Sequence, residues 1–160
     1  LRRPTGGGLV PHDADWTYSA VLPPDDPWYS LRAIESYRRM HEWIRTAFAE
    51  IEVATELSPC GRKEAPGQCF AGAEQFDVLL DGRKLAGAAQ RRTKDGLLIQ
   101  GSIQPPAGIE RIRFESAMLD VASRLDRVTW AELNHDAALV GRVQDLEESK
   151  YSRAEFNRRR

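Results

Sequence analysis

The chain has 160 residues, of which 41% are hydrophobic and 29% charged, and its net charge is −1. These totals are typical of a globular protein, and they predict a single domain over residues 1–160. The near-neutral charge argues against binding to nucleic acid or an anionic membrane, and no apolar run approaches the roughly 20 residues of a membrane span. Two cysteines without extracellular features favour reduced thiols and a cytoplasmic setting, and their spacing predicts no metal site.

The first notable feature is the glycine run from Gly6 to Gly8, which follows Arg2-Arg3 and precedes His12. Such a run lets the backbone approach a ligand and can turn N–H groups toward an anion, while arginine bonds well to phosphate or carboxylate. It is not a P-loop, because no Gly-Lys-Ser/Thr follows, and Pro11 excludes the dinucleotide fingerprint. A flexible loop is the alternative interpretation.

Hydrophobic periodicity predicts one strand and three helices outside the central region. Alternation predicts the strand at Asp15–Leu22, and helical spacing predicts a long helix at Ser30–Ile51. His41 lies on or beside the apolar stripe of that helix, which favours a packed histidine over a ligand. A second helix is predicted at Ile109–Leu125, and a capping box at Thr129 predicts a third that runs to about Glu148.

The central stretch from Phe76 to Ile103 reads as three strands joined by two tight hairpins. Asp81-Gly82 supplies the first turn, because two-residue hairpin turns need positive φ. The run Arg83–Arg92 forms the middle strand, and Lys94-Asp95-Gly96 supplies the second turn. An antiparallel unit is therefore predicted here.

The middle strand has an unusual composition, since it carries small residues where a packing strand would carry Val, Ile or aromatics. A period of two places Lys84, Ala86, Ala88 and Gln90 on one face. A cation and an amide that flank a surface of small residues suit a ligand lying against the backbone. The alternative is a strand packed closely under a helix, with Lys84 at its solvated end.

Several segments together resemble the lipoate–protein ligase A and octanoyltransferase family, which is related to biotin–protein ligase. RRPTGGGLVPHDADWTYSAVLP resembles the family's Arg-Arg-x-x-Gly-Gly-Gly opening and the strand after it. DGRKLAGAAQRR resembles its Gly-Arg-Lys strand, LLIQGSI its Gly-Ser/Thr strand, and KYSRAEFNRRR the end of its catalytic domain. The matches follow the family's order over nearly the whole chain.

The resemblance implies an α+β fold, with a mixed, largely antiparallel β-sheet flanked by helices, of the class II synthetase-like biotin/lipoate ligase type. It implies transfer of an octanoyl or lipoyl group to a lysine of a lipoyl domain, in 2-oxoacid dehydrogenases or the glycine cleavage H protein. Family members usually carry further strands before the Arg-Arg motif, so N-terminal truncation is expected. The implied walls of the acyl pocket are Arg3, Gly6, Gly7, Gly8, His12, Lys84, Gly87 and Gln90.

Two chemistries are open within the family. In an octanoyltransferase, a cysteine thiolate attacks an octanoyl thioester on acyl carrier protein, and no cofactor is needed. The resemblance places Cys69 as that nucleophile, with Lys84 as its electrostatic partner and oxyanion stabiliser. In a ligase, ATP with Mg²⁺ activates lipoate as an acyl-adenylate, and Lys84 with the glycine loop holds the phosphate and carbonyl.

A third interpretation belongs to a different class. The chain could be a non-catalytic acyl-binding module, or a fragment that needs a partner subunit, and the absent N-terminal strands favour this. The ligase signature His-His-Gly-Thr/Ser is replaced here by Ile99-Gln100-Gly101-Ser102, so no role is assigned to a histidine at that place.

Overall fold

The structure is a computed structural model that describes residues 2–63, 70 and 72–158. The chain divides into a larger unit, Thr5–Val128, and a smaller unit formed by Leu1–Pro4 with Thr129–Arg160. Within the described residues, no helix is both long and apolar enough to cross a membrane.

The larger unit contains seven strands and three helices among the described residues. The strands are β1 (Trp16–Leu22), β2 (Glu56–Leu57), β3 (Arg62–Lys63), β4 (Gly72–Ala73), β5 (Val78–Leu80), β6 (Arg83–Thr93) and β7 (Gly96–Ile103). The helices are α1 (Pro27–Ser30), α2 (Ala33–Glu50) and α3 (Arg111–Leu125). The predicted strand, the first two predicted helices and the three-strand unit are therefore confirmed, with boundaries shifted by a few residues.

The main sheet has five strands in the order β1-β7-β6-β5-β2, and β3 pairs with β4 in a separate ribbon. Every strand pairing among the described residues is antiparallel. Asp81 and Gly82 have φ values of 51° and 73°, so both central residues of the first hairpin turn lie in the left-handed region. Thr93 pairs with Gly96 across the second turn. The two predicted hairpins are confirmed.

The hydrophobic core lies between one face of this sheet and the helices α2 and α3. Helix α2 contributes Met40, Ile44 and Phe48, each no more than 1% exposed. Full burial of each such side chain stabilises the fold by about 1.5–3 kcal/mol. The Phe48 ring packs on Phe114 of α3 with centroids 4.5 Å apart, and the Trp43 indole N–H donates to the Met118 carbonyl across 2.8 Å. The core thereby holds α2 firmly against the sheet.

The predicted facing of the middle strand is wrong for Lys84. The register between β5 and β6 shifts between Val78 and Leu79, so that Val78 pairs with Ala86 and Leu79 pairs with Lys84. Leu85 is thus an extra residue, a β-bulge, and the simple alternation breaks there. Residues directly opposite each other share a face, so Lys84 lies with Leu79 on the face away from the core, whereas Ala86 faces the core with Val78.

The smaller unit contains α4 (Ala137–Leu146), a π-helical turn at Glu147–Tyr151 and α5 (Ala154–Asn157). The predicted capping box at Thr129 is wrong, because the helix begins eight residues later. Asp136 is the N-cap, and its carboxylate accepts a hydrogen bond from the Leu139 N–H at 2.8 Å. An Asp at this position satisfies an otherwise unpaired N–H group of the first turn, which starts the helix there.

Candidate functional site

Lys84 is the buried cation of the candidate site. Its side chain is only 8% exposed, and its Nζ lies 2.7 Å from Oδ2 of Asp77, which is fully buried. The Phe70 ring centroid lies 5.1 Å from the same Nζ, within cation–π range. A buried ammonium needs such partners, because removing a charge from water without compensation is costly.

The Asp77 carboxylate also accepts hydrogen bonds from two other groups. The Tyr37 hydroxyl from α2 donates to Oδ1, and the Glu74 backbone N–H donates to Oδ2 at 2.6 Å. The same Tyr37 hydroxyl accepts a hydrogen bond from the Ala88 N–H at 3.3 Å. Burial first, and then the negative charge of Asp77, raise the pKa of Tyr37, so its hydroxyl keeps its proton and acts as the donor.

Gly87 provides the space in which the Lys84 side chain lies. An ideal Cβ at Gly87 would stand 2.5 Å from Cε of Lys84, 2.7 Å from its Nζ and 3.0 Å from Oδ1 of Asp77. These distances are shorter than van der Waals contact, so only glycine leaves room for the ion pair as it stands. Lys84 and Gly87 therefore lie together on the face opposite Ala86. Their role as walls of an acyl pocket, which the resemblance implies, stays a prediction.

A cavity of about 780 Å³ opens beside Lys84 in the larger unit. Its walls combine apolar side chains with hydroxyl, thiol and charged groups, and they include Pro11, Ser58, Cys60, Phe70, Leu79 and Lys84. This mixture suits a ligand with an apolar chain and a polar or anionic head.

The glycine loop is tied to the sheet by polar contacts. Thr5 Oγ1 donates to Gln100 Oε1 at 3.2 Å, and His12 Nδ1 lies 2.9 Å from Asp15 Oδ2. The Ser102 hydroxyl donates to the same Asp15 oxygen at 2.5 Å. Burial acts to raise the pKa of Asp15, but the hydrogen bonds from Ser102 and His12 outweigh it and hold that pKa below its ordinary value.

Gly7, His12 and Gln90 are predicted site residues that lie outside the Lys84–Asp77 ion pair. Gly7 has a φ of 102°, a left-handed conformation that favours glycine, and the His12 side chain is 57% exposed. Gln90 faces the start of α2, where it accepts from the Ser36 hydroxyl at 2.8 Å and donates to the Ala33 carbonyl at 2.6 Å. Gln90 does not line the cavity beside Lys84.

Arg3 and Cys69 are two further predicted site residues. Arg3 belongs to the smaller unit, whereas the glycine run belongs to the larger one. Cys69, the predicted nucleophile, lies outside the described residues, which do not include 64–69 and 71. Both assignments stay predictions.

Sequence reasoning missed Asp77 and Tyr37. The available signal was a carboxylate seven residues before the lysine across a tight hairpin, a spacing that permits an ion pair. The bulge that brings the two side chains to one face leaves no comparable signal in the sequence.

The chain matches the model of a known family, the lipoyl protein ligase A/B catalytic domain, over residues 1–105. It is 33% identical to octanoyltransferase LipM from an Exiguobacterium species over 137 residues, which cover 81% of this chain and 49% of that protein. It is also 33% identical to octanoyltransferase LipM from Symbiobacterium thermophilum over an alignment of 172 positions, which covers 91% of this chain and 61% of that protein. The chain thus spans about half of the length of the first of these curated relatives and less than two thirds of the second.

Solved structures share the fold. A crystal structure of lipoate-protein ligase A bound with ATP superposes with a TM-score of 0.78 at 19% identity, over 98% of this chain and 70% of that one. A bipartite lipoate protein ligase from Thermoplasma acidophilum, described together with its E2 lipoyl domain, superposes with a TM-score of 0.72 at 20% identity, over 98% of this chain and 69% of that one. The expected fold class is confirmed.

Proposed function

Because the chain belongs to the lipoyl protein ligase A/B catalytic domain family, we propose that it serves protein lipoylation by transferring an octanoyl group to a lysine of a lipoyl domain. The observation that carries this proposal is the buried Lys84 ammonium, which lies beside a cavity large enough for an acyl group and is held by Asp77 at 2.7 Å. The similarity to octanoyltransferases favours the transferase over the other chemistries of the family.

The proposed reaction has two steps, with Cys69 as the nucleophile. The Cys69 thiolate attacks the thioester carbonyl of octanoyl-acyl carrier protein, the carrier thiolate leaves and takes up a proton, and an octanoyl thioester forms on Cys69. The acceptor lysine amine then attacks that thioester. An amide forms, the amine loses a proton, and the Cys69 thiol is regenerated. No ATP or metal is consumed.

Lys84 has an electrostatic role in both steps. Each attack places negative charge on the former carbonyl oxygen, and a fixed cation in a dry site stabilises that charge more than water does. Phe70 directly follows Cys69 and lies over the Lys84 ammonium, which supports a thiol close to this cation. Lys84→Ala should therefore abolish acyl transfer, and full activity in that variant would disprove the role.

The acyl-binding residues of the proposal are Arg3, Gly6, Gly7, Gly8, His12 and Gly87, whereas Gln90 is left out because it bonds to the start of α2. The partners are acyl carrier protein as donor, and as acceptors the lipoyl domains of 2-oxoacid dehydrogenases or the glycine cleavage H protein. These reactions belong in the cytoplasm. Gly87 supports the proposal through the Lys84 ammonium, because the end of that side chain fills the space that a Cβ at Gly87 would occupy.

A second candidate is an ATP-dependent lipoate–protein ligase, which the similarity to a ligase structure bound with ATP favours. Lipoate or octanoate would then be activated as an acyl-adenylate with Mg²⁺, and Lys84 would meet the phosphate or carbonyl. Cys69 is superfluous in that reaction. The two candidates therefore differ in their dependence on Cys69 and on ATP.

The deciding experiment measures the intact mass of the protein after incubation with octanoyl-acyl carrier protein without ATP. A single octanoyl adduct that hydroxylamine releases, and that Cys69→Ala lacks, would support the transferase. If no adduct forms, ATP, Mg²⁺ and lipoate are added together with a lipoyl domain. Lipoylation of the domain would then identify the ligase, and its absence would leave an acyl-binding module.

A further inference from the structure

The Tyr37 hydroxyl joins helix α2 to the group that holds the candidate lysine. It donates to Oδ1 of Asp77 and accepts from the Ala88 N–H at 3.3 Å. Oδ2 of the same carboxylate lies 2.7 Å from Nζ of Lys84. One phenol thus connects the helix, the edge of β6 and the ion pair.

The position of the phenol follows from the shape of the sheet. Strand β5 begins at Val78, which pairs with Ala86, so Ala88 lies beyond the end of that strand. The Ala88 N–H therefore donates its hydrogen bond to the Tyr37 hydroxyl and not to a residue of β5. Asp77 sits at the same end of β5, where the helix side chain can reach both groups.

The Tyr37 ring is itself firmly held. It contacts the ring of the fully buried His41 with centroids 4.2 Å apart, and His41 Nδ1 lies 3.1 Å from the Tyr37 carbonyl. The hydroxyl is therefore held in position by a packed ring on a packed helix. Such a donor orients a carboxylate more strictly than a water molecule would, because it has no freedom to follow a displaced partner.

We infer that Tyr37 is a positioning residue for Lys84, which it acts on through Asp77. By occupying Oδ1, the phenol directs Oδ2 toward Lys84 and fixes the ammonium in the space above Gly87. Without the phenol, Oδ1 loses this donor, and the carboxylate, still bonded at Oδ2 by the Glu74 N–H, can turn about that bond. The ammonium then loses its defined position beside the cavity. The effect on turnover rests on the proposed function, whereas the effect on the Lys84 ammonium does not.

The test compares Tyr37→Phe with Tyr29→Phe, a matched control. Tyr29 also donates its hydroxyl in a hydrogen bond, to the Thr93 carbonyl at 2.8 Å, but far along the hairpin from Lys84. Each substitution removes one oxygen and keeps the ring. Loss of a hydrogen bond to a charged group corresponds to about a 10- to 160-fold change in rate.

The first readout is steady-state octanoyl transfer from octanoyl-acyl carrier protein to a lipoyl domain, at a temperature well below the melting point of each variant. Tyr37→Phe should lower kcat by about 10-fold or more with KM changed by less than about threefold, and Tyr29→Phe should keep both values. A role in stability alone would lower the melting temperature of Tyr37→Phe and leave kcat at the wild-type value, which would overturn the inference.

The second readout does not depend on activity. A buried, ion-paired lysine ammonium exchanges its protons slowly, so its ¹H–¹⁵N signal can be recorded and assigned by its loss in Lys84→Met. The signal should persist in the wild type and in Tyr29→Phe and should broaden or shift in Tyr37→Phe. An unchanged signal in Tyr37→Phe would refute the positioning role. A wild type without acyl transfer would instead refute the proposed function, and this second readout would still decide the inference.

Discussion

Gly87→Ala should damage the candidate site while leaving the fold intact. The new Cβ would stand 2.5 Å from Cε of Lys84, whereas carbon atoms attract best at about 3.5–4.0 Å. The lysine end must therefore retreat by about 1 Å or more, and its Nζ leaves the carboxylate of Asp77, now 2.7 Å away. The perturbation thus separates the ion pair without touching the charges themselves.

The magnitude follows from these contacts. Loss of a hydrogen bond to a charged group destabilises the fold by about 1.5–3 kcal/mol, and replacing glycine by alanine inside a strand stabilises it by about 0.5–1 kcal/mol. The free energy of unfolding should therefore fall by about 0.5–2.5 kcal/mol. Displacement of a reacting group by about 1 Å can cost about 100-fold in rate, so acyl transfer should fall by about that factor.

The assay combines octanoyl transfer to a lipoyl domain with unfolding by denaturant. Gly141→Ala is the matched control, because nothing lies within 4 Å of an ideal Cβ at Gly141. In a Lys84→Ala background, Gly87→Ala should no longer destabilise the protein, because the new methyl group then has space. The reasoning would be refuted if Gly87→Ala kept wild-type transfer, or if its cost in stability were the same with and without the lysine side chain.

Three further predictions concern other parts of the chain. Gly101→Ala should destabilise the fold by about 3 kcal/mol, measured by denaturant unfolding, because the new Cβ would lie 2.2 Å from the Tyr18 ring; an unchanged midpoint would contradict this packing. Burial, and then the charge of Lys84, lower the pKa of His41 to about 3 from 6.5. The unfolded chain therefore binds a proton at this histidine that the folded chain does not bind, so the free energy of unfolding should fall by about 1.6 kcal/mol as the pH is lowered from 6.5 to 5, with a slope that approaches about 1.4 kcal/mol per pH unit. His41→Leu should remove that slope and the exposed His135→Gln should keep it, and a slope that survives His41→Leu would disprove the assignment. Cys69→Ala should abolish octanoyl transfer without ATP, and retained transfer would exclude the thioester route.

Much of the fold was predictable from local patterns. The alternation in β1, the helical spacing in α2 and the Asp81-Gly82 turn each report on a few neighbouring residues, and all three are confirmed. The start of α4 was not predictable in the same way, because Thr129 and Asp136 are both good N-cap residues. Local propensity does not decide between two such caps.

The candidate site was predictable only in part. Lys84 and Gly87 were singled out from an unusual strand and a family resemblance, and they do lie together. The face on which Lys84 lies was predicted wrongly, because a period of two holds only in an unbroken strand. Because Leu85 is an extra residue in the strand, Lys84 lies on the face opposite Ala86.

Residue types at short spacing were enough to predict β1, the β5–β7 hairpins and the family resemblance, and to single out Lys84. Whether Lys84 is solvated or buried, which face it lies on and what holds it depend on the packing of the tertiary structure. The Tyr37 hydroxyl and Asp77 are separated by 40 residues, and they meet because the core packs α2 across the end of β5. A contact of that kind depends on the packing of whole elements, and no local pattern encodes it.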